Sequence, residues 1–322
     1  MDLFKNHSEQ EFELIALELF RFQYENINIY GKFIDTLDRN SQEIKSLNNI
    51  PFLPAEFFKT HKILCEKKEA EIIFSSSGTT GMTSSKHYVA DLSIYRKSFL
   101  QTFEIFYGKP SEYCILALLP SYLEREGSSL VYMADELIRL SKHKDSGFYL
   151  NNLEELSGKL KTLKKQNTKI LLLGVSFALL DLAEKFPQDL KDITIMETGG
   201  MKGRKKEITR EELHQVLQNA FHVNSVHSEY GMTELLSQAY SKAKGIYSPP
   251  PWMKILITDP HDPFETFAHG KSGRINIIDL ANQYSCSFIA TSDLGKVYED
   301  GSFEVLGRMD YSDLRGCNLM VE

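Results

Sequence analysis

Ser8-Glu9-Gln10-Glu11 has capping-box spacing, and the apolar positions behind it, Phe12, Ile15, Ala16, Leu19 and Phe20, recur at helical intervals. This pattern predicts an amphipathic helix over 9–24, opening a helical N-terminal segment that spans 1–70. From Glu71 onward, short apolar runs alternate with helical periodicity. Strands are predicted at Tyr113–Leu119, Lys169–Leu173, Ile193–Met196 and Phe221–Val226, and helices over 92–107, 128–141, 152–165, 177–186 and 209–220. The last helix begins with a second capping box, Thr209 to Glu212. Such alternation predicts the α/β class, with a doubly wound, mostly parallel sheet as the core of 71–248. Pro249-Pro250-Pro251 breaks the rhythm. Beyond it, Trp252–Thr258, Arg274–Asp279, Ser287–Ala290, Gly295–Tyr298 and Phe303–Leu306 are short strand patterns between turn residues, so a β-rich subdomain is expected over 249–322. No internal repeat or low-complexity tract is present.

A chain of 322 residues with 42% hydrophobic and 25% charged content exceeds one ordinary domain, and two lobes around a cleft are expected. The formal charge of −7 supplies no basic field for nucleic acid, and the Lys202–Lys206 cluster is short. No apolar run is long enough for an integral membrane segment. The opening Met-Asp-Leu-Phe-Lys-Asn lacks the apolar stretch of a signal peptide, so a cytoplasmic location is expected. Cys65, Cys114, Cys286 and Cys317 show no C-x-x-C spacing, so each is expected to be a thiol rather than a disulfide partner or zinc ligand.

The densest chemical signal is Phe74-Ser75-Ser76-Ser77-Gly78-Thr79-Thr80-Gly81, directly after Ile72-Ile73. Glycines let a main chain approach a polyphosphate closely, and each Ser or Thr adds a hydroxyl donor. The spacing excludes a Walker A loop, because Gly78 and Gly81 are too close together and the nearest lysine is Lys86; no G-x-G-x-x-G follows a strand anywhere. A polar surface loop is the plain alternative.

Two further motifs, Ser228-Glu229-Tyr230-Gly231-Met232-Thr233-Glu234 and Thr291-Ser292-Asp293-Leu294-Gly295 with Gly307-Arg308-Met309-Asp310, follow in order. Together the three segments resemble the adenylate-forming (ANL) superfamily of acyl-CoA synthetases, luciferases and adenylation domains, whose large N-terminal domain is an α/β fold of the expected kind. The resemblance implies ATP and Mg²⁺ as cofactors. It also implies that Ser76, Ser77, Gly78, Thr79, Thr80 and Gly81 hold the β and γ phosphates, Thr233 the α-phosphate, Glu234 the metal and Asp293 the ribose hydroxyls. Arg308 is a second contact to ribose or phosphate, and Gly199, Gly200, Glu229, Tyr230 and Gly231 match positions beside the adenine. Taken singly, Tyr230 also fits a core residue, Asp293 a turn former, Glu234 a helix-face charge and Arg308 a surface ion pair.

Two departures accompany the likeness. Ser84 stands where the superfamily's loop lysine is usual, with Lys86 displaced by two, and the chain stops at Glu322, twelve residues after Asp310, where full-length members continue into a lid domain with a catalytic lysine. That ending, with Asp313-Leu314-Arg315-Gly316-Cys317, resembles the LuxE-type acyl-protein synthetases, the acid-activating component of a bacterial fatty acid reductase complex. The resemblance implies a long-chain fatty acid as substrate, while the residues themselves leave an aromatic or short acid open, and it implies transfer of the acyl group to Cys317, with coenzyme A or a carrier protein as alternative thiols. An acyl-CoA reductase, acyltransferase or acyl-carrier protein is the implied partner. Arg315 would favour the thiolate, while a buried, inert thiol is the plain alternative.

Competing readings come from a different motif and from the expected missing lid. Gly174-Val175-Ser176-Phe177-Ala178 imitates the nucleophile elbow of a serine acyltransferase or thioesterase, with Asp262 and His269 following in the required order. Without a lid, a non-catalytic adenylate-binding subunit is also open. His214, His222 and His227 form no H-E-x-x-H set.

Overall fold

The computed structural model describes residues 3–76, 83–120, 127–199 and 208–309. Ser8 caps helix α1 (Glu9–Asn26) as its spacing predicts: its Oγ accepts from the Glu11 amide at 3.2 Å, while the Ser8 amide donates to Glu11 Oε2 at 2.9 Å. Helix α2 (Asn28–Thr36), strand β1 (Leu53–Pro54) and the short α3 (Phe57–Thr60) follow. Strands β2 (Ile72–Ser75) and β3 (Lys86–Val89) then pair antiparallel, with Ser75 opposite Lys86.

The central sheet is built from α4 (Leu92–Tyr107), β4 (Cys114–Leu118), α5 (Ser129–Ser141), β5 (Gly147–Phe148), α6 (Leu153–Lys165), β6 (Ile170–Val175), α7 (Ser176–Lys185), β7 (Thr194–Thr198), α8 (Arg210–Phe221), β8 (His227–Tyr230) and β9 (Ala239–Ser241). Its strand order is β5-β4-β6-β7-β8-β9, parallel throughout except for β9. Every residue of β4 and β6 is buried, which is why these strands read as unbroken apolar runs instead of alternating ones. The chain leaves β4 toward β5 and returns to β6 on its other side. Right-handed crossovers therefore set α5 on one face and α6, α7 and α8 on the other.

The second sheet contains β10 (Ile246–Tyr247), β11 (Met253–Thr258), β12 (Gly273–Asp279), β13 (Phe288–Val297) and β14 (Phe303–Arg308), in the order β10-β14-β13-β12-β11. Strand β1 adds parallel to β13, pairing Leu53 with Ile289 and Pro54 with Ala290. Phe20, Tyr30 and Phe52 surround Phe288 with ring centroids 6.1–6.3 Å away. Buried Gln23 of α1 donates to the carbonyls of Asn282 and Gln283 and accepts from the Ser287 amide at 3.0 Å. Residues from the first seventy thus pack on the C-terminal sheet through both apolar and polar contacts.

Three predicted strands differ from the structure. The run Phe221–Val226 is no strand: Phe221 closes α8, His222 turns with φ of 54°, and pairing begins at His227. Its apolar residues Phe221, Val223 and Val226 are buried, so the run reflects packing rather than a ladder. The separate strands at 287–290 and 295–298 are one strand, β13, because the polar Thr291-Ser292-Asp293 between them forms a bulge instead of a turn. Arg274 pairs with Leu294 and Asn276 with Ala290, so those three residues oppose Ile275 alone. Thr291 Oγ1 fills the gap in the ladder, donating to the Ile275 carbonyl at 2.8 Å and accepting from the Asp293 amide at 3.0 Å. Among the described residues no helix is long and apolar enough to cross a membrane, and Cys65, Cys114 and Cys286 are free and buried.

Candidate active site

The carboxyl ends of β4, β6, β7 and β8 lie along one edge of the central sheet, the position where open α/β sheets bind ligands. The β2–β3 hairpin docks beside that edge: the Ser75 amide donates to the Gly127 carbonyl, in the connection after β4, at 2.7 Å. Ser76 continues the ladder, its amide donating to the Ser85 carbonyl at 3.1 Å and its Oγ accepting from the Ser85 amide at 2.9 Å. Both ends of the hydroxyl-rich loop are held together in this way. Ser77, Gly78, Thr79, Thr80 and Gly81 themselves lie outside the described residues, as do Gly200 and Cys317.

Bulging of β13 brings Asp293 from the second sheet against the end of β8. Tyr230 Oη donates to Asp293 Oδ2 at 2.9 Å, and Arg308 Nε donates to Asp293 Oδ1 at 3.1 Å. Burial pushes the Tyr230 phenol well above its ordinary range, with the Asp293 charge acting in the same direction, so it stays a donor. Its ring packs edge-on against Phe303 at 5.5 Å and near Tyr247 at 5.8 Å. Asp293 is 6% exposed, whereas the Arg308 side chain is 79% exposed, so the arginine is the member free to move toward a ligand.

One turn of chain beyond Tyr230, the Thr233 carbonyl accepts from His87 Nδ1 at 2.8 Å. His87 is on β3, so the hairpin and the Thr233-Glu234 segment are joined directly. Glu234 is buried, and burial pushes its carboxyl above the ordinary carboxylate range, against the opposing pull of Ser85, Arg308 and Lys59. A divalent cation fits this environment, since it would supply the countercharge that desolvation makes valuable. One carboxylate with phosphate oxygens and water is a usual Mg²⁺ set. No cluster of three His, Cys, Asp or Glu among the described residues offers an all-protein cage.

At the adjacent end of β7, Thr198 Oγ1 donates to Glu229 Oε2, and Gly199 follows with its carbonyl accepting from Ser176 Oγ at 2.6 Å. Gly231 leaves room for the Glu229 carboxylate: a Cβ there would come within 2.6 Å of Glu229 Oε1 and push that side chain aside. The described candidates Ser76, Gly199, Glu229, Tyr230, Gly231, Thr233, Glu234, Asp293 and Arg308 therefore belong to elements that meet around this edge.

The serine-nucleophile reading is overturned. Ser176 is 2% exposed, it is the first residue of α7 without the positive φ of an elbow, and its hydroxyl is committed to Gly199 with Glu197 Oε2 at 3.4 Å. Asp262 and His269 are exposed, and Asp262 closes a turn by accepting from the Phe264 amide at 2.9 Å. Sequence reasoning also missed His87, Asp279 and Asn282. For His87 a signal existed: the alternation of Lys86-His87-Tyr88-Val89 puts it on the same buried face as Val89.

Comparison with known proteins extends this picture. A sequence profile for the family described as "Acyl-protein synthetase, LuxE" matches residues 1–322. The long-chain-fatty-acid–luciferin-component ligase of Vibrio harveyi is 24% identical over 325 residues, covering 93% of this chain and 84% of that protein. Among solved structures, an open conformation of 2-hydroxyisobutyryl-CoA ligase aligns with a TM-score of 0.69 at 12% identity, covering 94% of this chain and 70% of that one. ATP-bound MatB from Rhodopseudomonas palustris aligns with a TM-score of 0.55 at 16% identity, covering 73% of this chain. The match covers 47% of the MatB chain, about half its length. At such identities the likeness shows the fold, which is the α/β large-domain architecture of the adenylate-forming enzymes.

Proposed function

The chain belongs to the LuxE acyl-protein synthetase family, and on that premise we propose that it uses ATP to convert a carboxylic acid to its acyl adenylate and then passes the acyl group to a thiol. A carboxylate oxygen attacks the α-phosphorus, the bond from phosphorus to the bridging oxygen breaks, and pyrophosphate leaves. A thiolate then attacks the acyl carbon and AMP leaves. The observation supporting this most strongly is that Tyr230 and Asp293, from separate motifs, bond directly at the sheet edge where His87 holds Thr233.

In this reading Ser76, Ser77, Gly78, Thr79, Thr80 and Gly81 hold the β and γ phosphates through amides and hydroxyls, and Thr233 donates its hydroxyl to the α-phosphate. Glu234 holds Mg²⁺, which when bound disperses phosphate charge. Asp293 accepts from the ribose hydroxyls: a carboxylate offers about four acceptor sites, and Tyr230 and Arg308 occupy one on each oxygen. Gly199, Gly200, Glu229, Tyr230 and Gly231 flank the adenine.

Thiol chemistry narrows the acceptor. Burial raises Cys114 to about 11 and Cys286 to about 12, so neither is a ready thiolate, and Cys65 is 4% exposed and closed to a bulky acyl adenylate. Cys317, two residues from Arg315, is the proposed acceptor. The name of the Vibrio harveyi relative supports a long-chain fatty acid as substrate. A reductase, acyltransferase or carrier protein is the proposed recipient, in the cytoplasm. Incubation with ATP and radiolabelled fatty acid is expected to label the protein with a hydroxylamine-cleavable thioester that Cys317→Ser abolishes. Equal labelling of Cys317→Ser would remove Cys317 as acceptor.

A further inference from the structure

The segment from Thr233 to Ser237 is neither helix nor strand, yet four of its backbone groups are bonded to buried side chains of other elements. The Thr233 carbonyl accepts from His87 Nδ1 at 2.8 Å, and the Glu234 carbonyl accepts from Asn282 Nδ2 at 2.8 Å. The Leu236 and Ser237 amides donate to Asp279 Oδ2 at 2.8 and 3.0 Å. His87, Asn282 and Asp279 are all fully buried. Irregular buried backbone must find partners somewhere, but the pattern here is more specific than satisfaction. The two held carbonyls belong to the two peptide planes that flank the Glu234 Cα, and fixing both planes fixes the direction of its Cα–Cβ bond.

We propose that His87 is a positioning residue for the adenylation reaction: with Asn282 it orients the backbone on either side of Glu234 so that the carboxylate is aimed at the metal and Thr233 at the α-phosphate. The proposal rests on the roles given above to Thr233 and Glu234. His87 suits the task because of its place in the chain. It stands on β3, in the hairpin that carries the hydroxyl-rich loop and one pair along from the Ser75–Lys86 register, so one ring couples the hairpin of the proposed phosphate loop to the segment proposed to hold the metal. Because the acceptor is a carbonyl, the ring must carry its proton on Nδ1. Asn282 is braced in turn: its Nδ2 also donates to the Cys286 carbonyl at 2.9 Å, and its own carbonyl accepts from Gln23 Nε2 at 3.0 Å. The N-terminal helix α1 thereby reaches the metal carboxylate through two side chains.

The test is carboxylate-dependent ATP–pyrophosphate exchange as a function of Mg²⁺ concentration in the wild type, His87→Leu, His87→Asn and Glu234→Gln. His87→Leu keeps bulk and loses the donor; His87→Asn keeps an N–H near the place of Nδ1 and loses bulk. Losing one such hydrogen bond corresponds to up to about tenfold. His87→Leu is therefore expected to raise the half-saturating Mg²⁺ concentration by about that factor, with His87→Asn recovering most of it even if both melt at similarly lowered temperatures. Equal Mg²⁺ half-saturation in the wild type and His87→Leu, or equal impairment of the two variants, would overturn the proposal. If His87→Leu does not fold, His87→Gln, with its donor shifted by one methylene, replaces it with the same expectations. Glu234→Gln separates the levels: if it retains full exchange the metal role itself fails, whereas if it abolishes exchange while His87→Leu behaves as wild type, only the positioning role fails.

Discussion

Replacing Gly295 by alanine adds one methyl group where the structure has no room for it. A Cβ on Gly295 would stand 2.2 Å from the Glu304 carbonyl oxygen of β14, 2.6 Å from Ile275 Cδ1 and 2.9 Å from Ile275 Cγ1. Ile275 can rotate, but the Glu304 oxygen belongs to the adjoining strand and can retreat only if the strands part by about 1 Å, since van der Waals contact needs roughly 3.5 Å. Overpacking of this kind costs about 1–3 kcal/mol, and each ladder hydrogen bond lost at the bulge adds about 0.5–1.5 kcal/mol. A destabilisation of about 2–4 kcal/mol follows, and at roughly 2–4 °C per kcal/mol for larger domains the Tm should fall by about 4–16 °C. The same displacement should spread to Asp293, which pairs with Arg308 two positions earlier in β13, so the KM for ATP should rise as well. Gly158→Ala is the internal control. It lies in α6 with nothing within 4 Å of its added Cβ, and should stabilise by about 0.5–1 kcal/mol. Calorimetry of the two variants decides the matter: a Gly295→Ala protein that melts with the wild type would refute the close approach of β13 and β14.

Two more expectations concern polar groups. Burial lowers His87 from an ordinary histidine value to about 4, so between about pH 6.5 and 4 the unfolded chain binds the proton that the folded chain refuses. Stability from neutral His87 is complete above 6.5 and lost as pH falls toward 4, by about 3 kcal/mol in all; His227, also lowered to about 4, acts in the same direction. Urea midpoints measured from pH 7.5 to 5 should therefore decline, and a flat or rising profile would contradict the buried neutral ring. Tyr230→Phe leaves Asp293 Oδ2 without its 2.9 Å donor, which should cost about 1.5–3 kcal/mol in stability and raise the KM for ATP; an unchanged urea midpoint would show that this bond is unimportant.

How much of this was legible in the sequence depended on the range of each interaction. Capping boxes at Ser8 and Thr209 and the apolar runs of β4 and β6 act within a few residues, and they gave the elements close to their observed bounds. Thr291-Ser292-Asp293 misled, because a turn and a bulge share the same polar residues and only the facing strand distinguishes them. The motif residues Tyr230, Asp293 and Thr233 were recognisable from spacing and resemblance, yet their mutual bonds span 63 positions in one case and, through His87, 146 in the other. Asp279 and Asn282 carried no local signal at all. They look like strand-end turn formers, and their work is done on backbone more than forty positions away.

The central claim is that this chain activates an organic acid at the expense of ATP, and carboxylate-dependent exchange of labelled pyrophosphate into ATP measures it most directly. The account predicts exchange that requires Mg²⁺ and a fatty acid and that falls sharply in Asp293→Ala. Tight ATP binding with no exchange under any carboxylate would contradict it and leave a nucleotide-binding subunit in its place.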